Sequence, residues 1–368
     1  MEQQVKKIAF SAVLITAAAL TLGACATPPD TSATTGAPAE TAATTAAPAN
    51  DFVACMISDQ GGFDDNSFNE SGFVGLKQAE TDLGVTIKSA ESKNATDFTP
   101  NLTAMKANNC GITITVGFML AEATKDAAET NPSLNYAIID DNSIDLPNVK
   151  SLVFKTSDAA FLAGYVAAAY SQTGTVATFG GMKIPSVTIF MDGFADGVAR
   201  YNQDSGKSVK LLGWDKAAQD GVFTGDFEDQ SKGQNATKNF IDQGADVVMP
   251  VAGPVGFGAA AAAKDAGNVA IVWVDTDGYE AASQYKELFL TSVMKEINVS
   301  VFDTIKAASE GAFSNTPYVG DLANGGVGIA PFHDYDSKIP QDVKDKVEQL
   351  TKDIISGALK VESPSDPK

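Results

Sequence analysis

Short apolar runs alternate with longer amphipathic stretches along most of this sequence. The alternation is typical of parallel β-strands connected by crossover helices, because strands that are covered by helices on both faces must be apolar on both faces. It predicts an α/β fold. In the first half of the chain the predicted strands are residues 52–58, 85–89, 112–116, 135–139 and 149–154. The predicted helices between them are residues 67–83, 98–108 and 119–129.

A second series with the same alternation begins near residue 175. Its predicted strands are residues 175–179, 209–213, 247–251, 270–274 and 289–293. Its predicted helices are residues 186–204, 233–243, 257–266 and 296–310. The two series together are longer than one hydrophobic core usually organises. We therefore predict two Rossmann-like lobes, each with a parallel sheet that is covered by helices on both faces.

The N-terminal segment has the features of an export signal. Lys6 and Lys7 precede an apolar run, residues 8–22, that is too short and too rich in alanine for a membrane span. The following Leu-Gly-Ala-Cys resembles the lipobox of bacterial lipoproteins, which implies a signal peptide of residues 1–24 and acylation of Cys25. The alternative is an ordinary cleaved signal with an incidental cysteine. Residues 25–50 are mainly Ala, Thr, Pro, Ser and Glu, which predicts a disordered tether.

Charge and histidine content exclude several functions. The net charge of the full chain is -20, whereas nucleic-acid binders need a basic surface that displaces counterions from phosphates. The same charge disfavours phosphorylated ligands, unless a local basic pocket overrides it. The single histidine, His333, leaves no basis for a His-rich metal site or a His-based nucleophilic triad, and the loop around it predicts solvent exposure. We therefore predict no metal, no cofactor and no enzymatic activity.

Two cysteines remain in the folded part. Cys55 lies in the first predicted strand, and Cys110 lies just before a later one. If those strands are neighbours, the two cysteines can form a disulfide bond in an oxidising compartment. Two buried free thiols are the alternative.

The loop after the first predicted strand is dense in glycine and carboxylates. Residues 58–70 read Ser-Asp-Gln-Gly-Gly-Phe-Asp-Asp-Asn-Ser-Phe-Asn-Glu. A helix entry with Asp64, Asp65 or Asn66 as N-cap explains one acidic residue. It does not explain Phe68 and Asn69, a ring and an amide just inside the helix, where the ring can stack on a flat ligand. Because parallel sheets bind ligands beyond the carboxyl ends of their strands, this loop predicts part of a binding site between the lobes.

Residues 59–69 of this loop resemble the opening motif of the basic membrane protein family of lipoproteins, also called PnrA-like. Further segments resemble the same family, in the same order, at residues 138–140, 161–165, 180–182, 243–248, 273–277 and 291–295. The resemblance implies a type I periplasmic-binding-protein fold, with two lobes joined by three crossovers. It also implies a purine nucleoside as ligand and an ABC transporter permease as partner. The predicted lobes are residues 51–157 plus 296–324, and residues 158–295 plus 325–368.

The resemblance further implies roles for individual residues. Asp65 would contact the base or the sugar, Phe68 would stack on the purine, and Asn69 would support the loop. Asp140 would bind the base edge, although a simple turn residue after a strand is the alternative reading. Phe227 and Gly253 are less specific positions in the wall of the site. For Phe227, the alternative is an ordinary loop in which the ring packs inward.

At the sugar, the resemblance implies that Asp275 and Asp277 face the ribose hydroxyls with Lys295 nearby. A carboxylate can accept hydrogen bonds from two vicinal hydroxyls at once. A lysine between carboxylates would reduce their mutual repulsion in the empty cleft. An exposed position at a helix start is the alternative for Lys295.

Two other motifs suggest different functions. Residues 256–261 loosely match a dinucleotide-binding fingerprint, but export and a late position in the chain favour helix packing. Residues 275–278 begin like a calcium loop, yet the glycine comes too early. A sugar or autoinducer ligand, or a surface sensor or adhesin that has kept the scaffold, are the alternative functions. We expect a monomer that contacts the membrane only through its lipid.

Overall fold

The computed structural model describes residues 50–367. The predicted signal peptide, the lipidation site Cys25 and the tether up to residue 49 lie outside the described residues. Within residues 50–367, no helix combines the length and the apolar character that a membrane span requires.

The strands of the described residues form two large sheets and one small hairpin. In chain order they are β1 Val53–Ile57, β2 Thr86–Ala90, β3 Ile112–Val116, β4 Asn135–Ile139, β5 Val149–Phe154, β6 Thr175–Gly180, β7 Lys210–Leu212, β8 Trp214–Asp215, β9 Asp220–Gly221, β10 Val247–Val251, β11 Ala270–Asp275, β12 Phe289–Lys295, β13 Tyr318–Gly320 and β14 Val327–Ile329.

Helices follow most of the strands. In chain order they are α1 Phe68–Leu83, α2 Phe98–Ala107, α3 Ala121–Thr130, α4 Thr156–Tyr170, α5 Pro185–Ser205, α6 Gln230–Asp242, α7 Val255–Ala266, α8 Gly278–Ala281, α9 Ile297–Ser309 and α10 Gln341–Ile355. Short 3-10 turns lie at Ala95–Asp97, Phe118–Leu120, Ser283–Leu288 and His333–Lys338.

Each large sheet has six strands. The first sheet has the order β13-β5-β4-β3-β1-β2, and all of its pairs are parallel. The second has the order β14-β12-β11-β10-β6-β7, with β14 antiparallel to β12. The chain passes to the second sheet after β5, returns after β12 to add β13, and crosses again to add β14. This arrangement confirms the predicted α/β class with two lobes and three crossovers, while the exact lobe boundaries stay a prediction.

Burial explains why the strands could be predicted. Every residue of β3 and of β10 is buried, as expected for strands with helices on both faces. Helix α4 was not predicted, because thirteen of its fifteen residues are buried and it has no polar face. It packs closely on α5, where a Cβ at Gly164 would lie 2.2 Å from the Phe194 carbonyl oxygen. Helix α10, also not predicted, buries only a narrow stripe: Val347, Leu350 and Ile354.

The glycines of the loose dinucleotide fingerprint serve helix packing. A Cβ at Gly258 would lie 1.8 Å from the carbonyl oxygen of Gln230, at the start of α6. A Cβ at Gly256 would lie 2.9 Å from the ring of Trp273. Since only glycine permits these approaches, the contacts between α7 and its neighbours account for this motif.

Cys55 and Cys110 are joined by a disulfide bond in the structure, with their Cα atoms 5.9 Å apart. The bond follows from the topology, because β1 pairs with β3 and Cys110 comes two residues before β3. Both cysteines are buried. The bond spans 55 residues, and a loop of this length restricts the unfolded chain enough to stabilise the fold by about 4 kcal/mol.

Candidate functional site

A cavity lies between the carboxyl ends of the two sheets, which is the usual position of a ligand site in open parallel sheets. Its walls come from both lobes. The residues predicted for the site that line it are Asp65, Phe68, Asn69, Asp140, Phe227, Gly253, Asp275 and Lys295.

Lys295 occupies one end of this cavity between two carboxylates. Its Nζ atom lies 2.7 Å from Oδ2 of Asp140 and 2.9 Å from Oδ1 of Asp275. The three side chains are 2%, 8% and 10% exposed for Lys295, Asp140 and Asp275. Burial disfavours the charge on Lys295, but the two carboxylates outweigh this effect and raise its pKa. Lys295 is therefore a buried cation, and the alternative of an exposed position is wrong.

Asp140 and Asp275 share an unusual backbone conformation. Asp140 follows β4 with φ +62°, and Asp275 ends β11 with φ +69°. Left-handed conformations cost free energy in residues other than glycine and persist only where the surroundings hold them. At both positions this backbone directs a carboxylate toward Lys295. The alternative reading of Asp140 as a simple turn residue accounts for its backbone but not for this ion pair.

Direct contacts join the lobes beside this ion cluster. The hydroxyl of Ser67, which precedes α1, donates to Oδ2 of Asp275 at 3.2 Å. The hydroxyl of Thr276 donates to the carbonyl oxygen of Asn66 at 3.3 Å. The strand-end loop of the first sheet therefore contacts that of the second sheet directly.

The carboxylate of Asp65 makes hydrogen bonds to the start of the helix that follows it. Its carboxylate accepts hydrogen bonds from the backbone amides of Ser67, Asn69 and Glu70 at 3.0, 2.9 and 3.0 Å. Burial raises the pKa of Asp65 to about 6, and these hydrogen bonds oppose the increase. Both carboxylate oxygens satisfy free amides of the first turn of α1, and Asp65 also lines the cavity, so its contact with base or sugar stays a prediction. The N-cap position itself is Ser67, so the helix-entry reading is right that a carboxylate of this loop satisfies the first turn and wrong about which residue is the N-cap.

Asp59 is a functional candidate that the sequence reasoning did not select. It lies near the end of β1, lines the cavity, and its Oδ1 accepts from the Asn69 side chain at 2.9 Å. Burial raises its pKa to about 8, the Asn69 hydrogen bond opposes this, and the carboxylates of Asp65 and Asp140 add to it. Asp59 is thus largely a neutral acid at pH 7. Its position directly after a strand was the available signal, but the neighbouring Asp64 and Asp65 have the same residue type.

Asn69 also has a free acceptor. Its amide nitrogen donates to Asp59 and, at 3.2 Å, to Oδ2 of Asp65. Its buried Oδ1 atom has no hydrogen-bond partner among residues 50–367. A buried acceptor without a partner is costly, so a ligand that donates to it would gain free energy.

Aromatic rings form the remaining walls. Phe68 begins α1, and Phe227 lies in the loop before α6 on the opposite lobe. A Cβ at Gly181 would lie 2.4 Å from the Phe227 ring, so glycine after β6 makes room for this ring. The ammonium of Lys295 lies 4.7 Å from the ring centroid of Phe68, a cation–π contact. The cavity therefore combines aromatic surfaces from both lobes with an ion cluster at one end.

Asp277 does not line this cavity, in contrast to its predicted place beside the ribose. Its Oδ1 accepts from the backbone amide of Tyr279 and so caps α8. Its Oδ2 lies 2.7 Å from Nε2 of His333, whose side chain is 21% exposed rather than free in solvent. The left-handed turn at Asp275 directs two carboxylates that are two residues apart to different surroundings.

Comparisons with known proteins agree on one family. The family model described as "ABC transporter substrate-binding protein PnrA-like" matches residues 52–364. The chain is 30% identical to the ABC transporter nucleoside-binding protein BmpA of Lactococcus lactis over 85% of this chain and 90% of that protein. It is 29% identical to an uncharacterized lipoprotein of Pyrococcus horikoshii over 74% of this chain and 67% of that protein.

A solved structure has the same architecture. A solute-binding protein of an ABC transporter system from Aeropyrum pernix superposes with a TM-score of 0.78 and 25% sequence identity. The superposition covers 86% of this chain and 94% of the other. The two-lobed fold is therefore shared with a solute-binding protein.

Proposed function

Because this chain belongs to the PnrA-like family of ABC transporter substrate-binding proteins, we propose that it captures a purine nucleoside outside the cell and presents it to an ABC importer. The family binds substrates and does not transform them, so the chain is a binding protein and not an enzyme. The name of the Lactococcus lactis relative, nucleoside-binding protein, supports this ligand class. The cavity itself supplies the physical argument.

The observation that carries the proposal is one cavity with flat aromatic walls and a carboxylate–lysine cluster at one end. A purine is flat and polarizable, and it stacks well on phenyl rings such as those of Phe68 and Phe227. A ribose carries vicinal hydroxyls, which are donors for carboxylates. A nucleoside carries a flat base and a ribose in one molecule, and the cavity carries aromatic walls and a carboxylate–lysine cluster in one site.

The polar groups around Phe68 suit a heterocycle edge. Neutral Asp59 offers a hydroxyl donor and a carbonyl acceptor on the same carboxyl group. The free Oδ1 of Asn69 accepts a further hydrogen bond. Ring nitrogens and exocyclic groups of purines alternate acceptors and donors, so these two side chains match such an edge.

The ion cluster suits the sugar. Asp275 and Asp140 are oriented by Lys295 and can each accept a charge-assisted hydrogen bond from a hydroxyl. A phosphate is disfavoured there, because the one cation is already paired with two carboxylates. We therefore favour a nucleoside over a nucleotide.

Attachment to the membrane is part of the proposal. The lipobox-like Leu-Gly-Ala-Cys ends at Cys25, and the Pyrococcus horikoshii relative carries the name lipoprotein. An acylated Cys25 would hold a monomeric binding protein near its permease through the tether of residues 25–50. Metabolic labelling with a fatty acid, for the natural chain and for Cys25→Ser, tests this point.

Calorimetric titration of unfolded, ligand-stripped and refolded protein with guanosine, adenosine and inosine tests the ligand class. We expect heat of binding with at least one of the three. Flat traces for all three would contradict the nucleoside proposal. Glucose, galactose and ribose serve as comparison ligands, because a sugar-binding protein would respond to them instead.

A further inference from the structure

His333 contacts the short helix next to the ribose-facing strand end through two separate interactions. It begins the 3-10 turn His333–Lys338, and its Nε2 atom lies 2.7 Å from Oδ2 of Asp277. Its ring stacks on Tyr279, with centroids 4.1 Å apart and planes inclined by 11°. Both partners belong to the opening of α8, so His333 holds the start of this helix from outside the cavity.

The start of α8 follows directly from Asp275. The backbone amide of Thr276 donates to the carbonyl oxygen of Val274 at 2.9 Å, which places Asp275 at the centre of a tight turn. With φ +69° this turn is strained for an aspartate. Residues after Asp275 must therefore hold the turn if its carboxylate is to stay directed at Lys295.

Contacts from the first lobe hold one side of this turn, since Ser67 donates to Asp275 and Thr276 donates to the carbonyl oxygen of Asn66. The amide of Gly278 donates to the hydroxyl of Ser292 at 3.0 Å. Asp277 uses one carboxylate oxygen to cap its own helix and the other to contact His333. The His333 contact is therefore the side-chain link from Asp277 to a separate part of the fold.

The backbone of His333 is itself strained, with φ +40°. Such outliers persist where the rest of the structure holds them, and they often mark a functional constraint. Here the strained backbone accompanies an imidazole that contacts both Asp277 and Tyr279.

We propose that His333 is a positioning residue for ribose recognition, acting on Asp275 through Asp277 and the turn of residues 275–278. The inference rests on the proposed function, because it assumes that Asp275 receives ribose hydroxyls. His333 does not touch the ligand. Its effect is therefore confined to the part of the ligand that Asp275 contacts.

Discrimination between ribosides and dideoxyribosides tests this role. Guanosine and adenosine are compared with 2′,3′-dideoxyguanosine and 2′,3′-dideoxyadenosine, which lack the hydroxyls that Asp275 would bind. For His333→Ala we expect about tenfold weaker riboside binding and unchanged dideoxyriboside binding, because only the hydroxyl contacts are misaligned. His333→Asn should recover part of the riboside affinity, since asparagine tolerates a left-handed backbone and can donate to Asp277.

The matched control lies in the same 3-10 turn. Asp336 pairs with Lys344 at 2.6 Å and is 65% exposed, so Asp336→Asn should leave both affinities unchanged. The melting temperature of each variant separates loss of folding from loss of positioning. In the natural protein Tyr279 also donates a hydrogen bond to Asp334 at 3.4 Å, which is a second attachment of α8 to this turn.

The outcomes separate the two proposals. Equal weakening of ribosides and dideoxyribosides by His333→Ala, or no weakening of either, would overturn the role of His333 while leaving nucleoside binding intact. A natural protein that binds neither these four ligands nor inosine would overturn the proposed function, and this inference with it. The inference is supported if His333→Ala loses the discrimination between ribosides and dideoxyribosides and His333→Asn recovers part of it.

Discussion

The Nζ atom of Lys295 lies 2.7 Å from Oδ2 of Asp140, although 155 residues separate them in the chain. Asp140 follows a strand of the first sheet, and Lys295 ends a strand of the second. The pair therefore connects the two lobes across the cavity, where its charges are shielded from water. This relationship makes both stability and ligand binding depend on the same buried cation.

Replacing Lys295 by methionine should destabilise the protein strongly. The variant leaves two buried carboxylates without their cation, and removing one partner of a buried ion pair costs about 3–5 kcal/mol. Urea unfolding measures the loss. The exposed pair of Lys183 and Asp220 provides the control, since Lys183→Met should change the free energy of unfolding far less than Lys295→Met. Equal effects of the two substitutions would show that burial of the Lys295 cluster has no energetic consequence.

Phe68→Ala should weaken nucleoside binding without preventing folding. Stacking of a base on an aromatic side chain contributes about 1–3 kcal/mol, so the dissociation constant measured by calorimetry should rise about 5- to 150-fold. Phe73 lies on the same helix and stacks on Phe63 outside the cavity. Phe73→Ala should therefore reduce thermal stability and leave the affinity of the folded protein unchanged. A Phe68→Ala protein with full affinity would exclude stacking on this ring.

The stability of the unliganded protein should fall as pH rises from about 4 to about 8. Burial raises the pKa of Asp59 from 3.8 to about 8, so the folded protein holds a proton that the unfolded chain releases. Folding therefore binds a proton in this window, and the stabilisation is complete only below the lower pKa. Asp65 contributes with the same sign, because its pKa is raised to about 6.

Asp59→Asn tests this dependence, because an amide does not titrate. Each unit of pH within the window changes the free energy of unfolding by up to about 1.4 kcal/mol per group. Urea unfolding at pH 5, 6 and 7 should show a shallower decline in the variant than in the natural protein. Asp64→Asn, an exposed position in the same loop, should leave the slope unchanged. Parallel slopes for Asp59→Asn and the natural protein would exclude Asp59 as the source.

Removal of the disulfide should lower stability by about 4 kcal/mol, since the unfolded chain regains the freedom of a long loop. The double variant Cys55→Ala/Cys110→Ala, compared with the natural protein by urea unfolding, measures this difference. Both cysteines are buried, so unfolding of the natural protein under a reducing agent serves as the control, because reduction breaks the bond and keeps both side chains. A thiol assay that finds both cysteines free in the unfolded, unreduced protein would contradict the pairing.

Local pattern was sufficient for most of the elements. The predicted strand of residues 112–116 coincides with β3, and the predicted helix of residues 98–108 differs from α2 by one residue. Helix α4 was not predicted, because burial on all sides removes the polar face on which helical periodicity depends. Elements between two buried layers are therefore the ones that sequence periodicity describes least well.

The roles of the carboxylates at strand ends could not be predicted from residue type alone. Asp59 and Asp65 belong to one loop, yet the first is a neutral acid in the cavity and the second caps α1. Asp275 and Asp277 belong to one turn, yet the first contacts Lys295 and the second contacts His333. Each choice depends on a partner that lies far away in the chain.

By itself, the sequence determined the α/β class, the two lobes and the loops that approach the site, because these follow from local periodicity and from the polarity of strand ends. Only the tertiary structure decided which carboxylates share Lys295, which one keeps its proton and which one meets the single histidine. The physical reason is that desolvation and ion pairing depend on distances between residues of different lobes, and these distances exist only once the chain has folded.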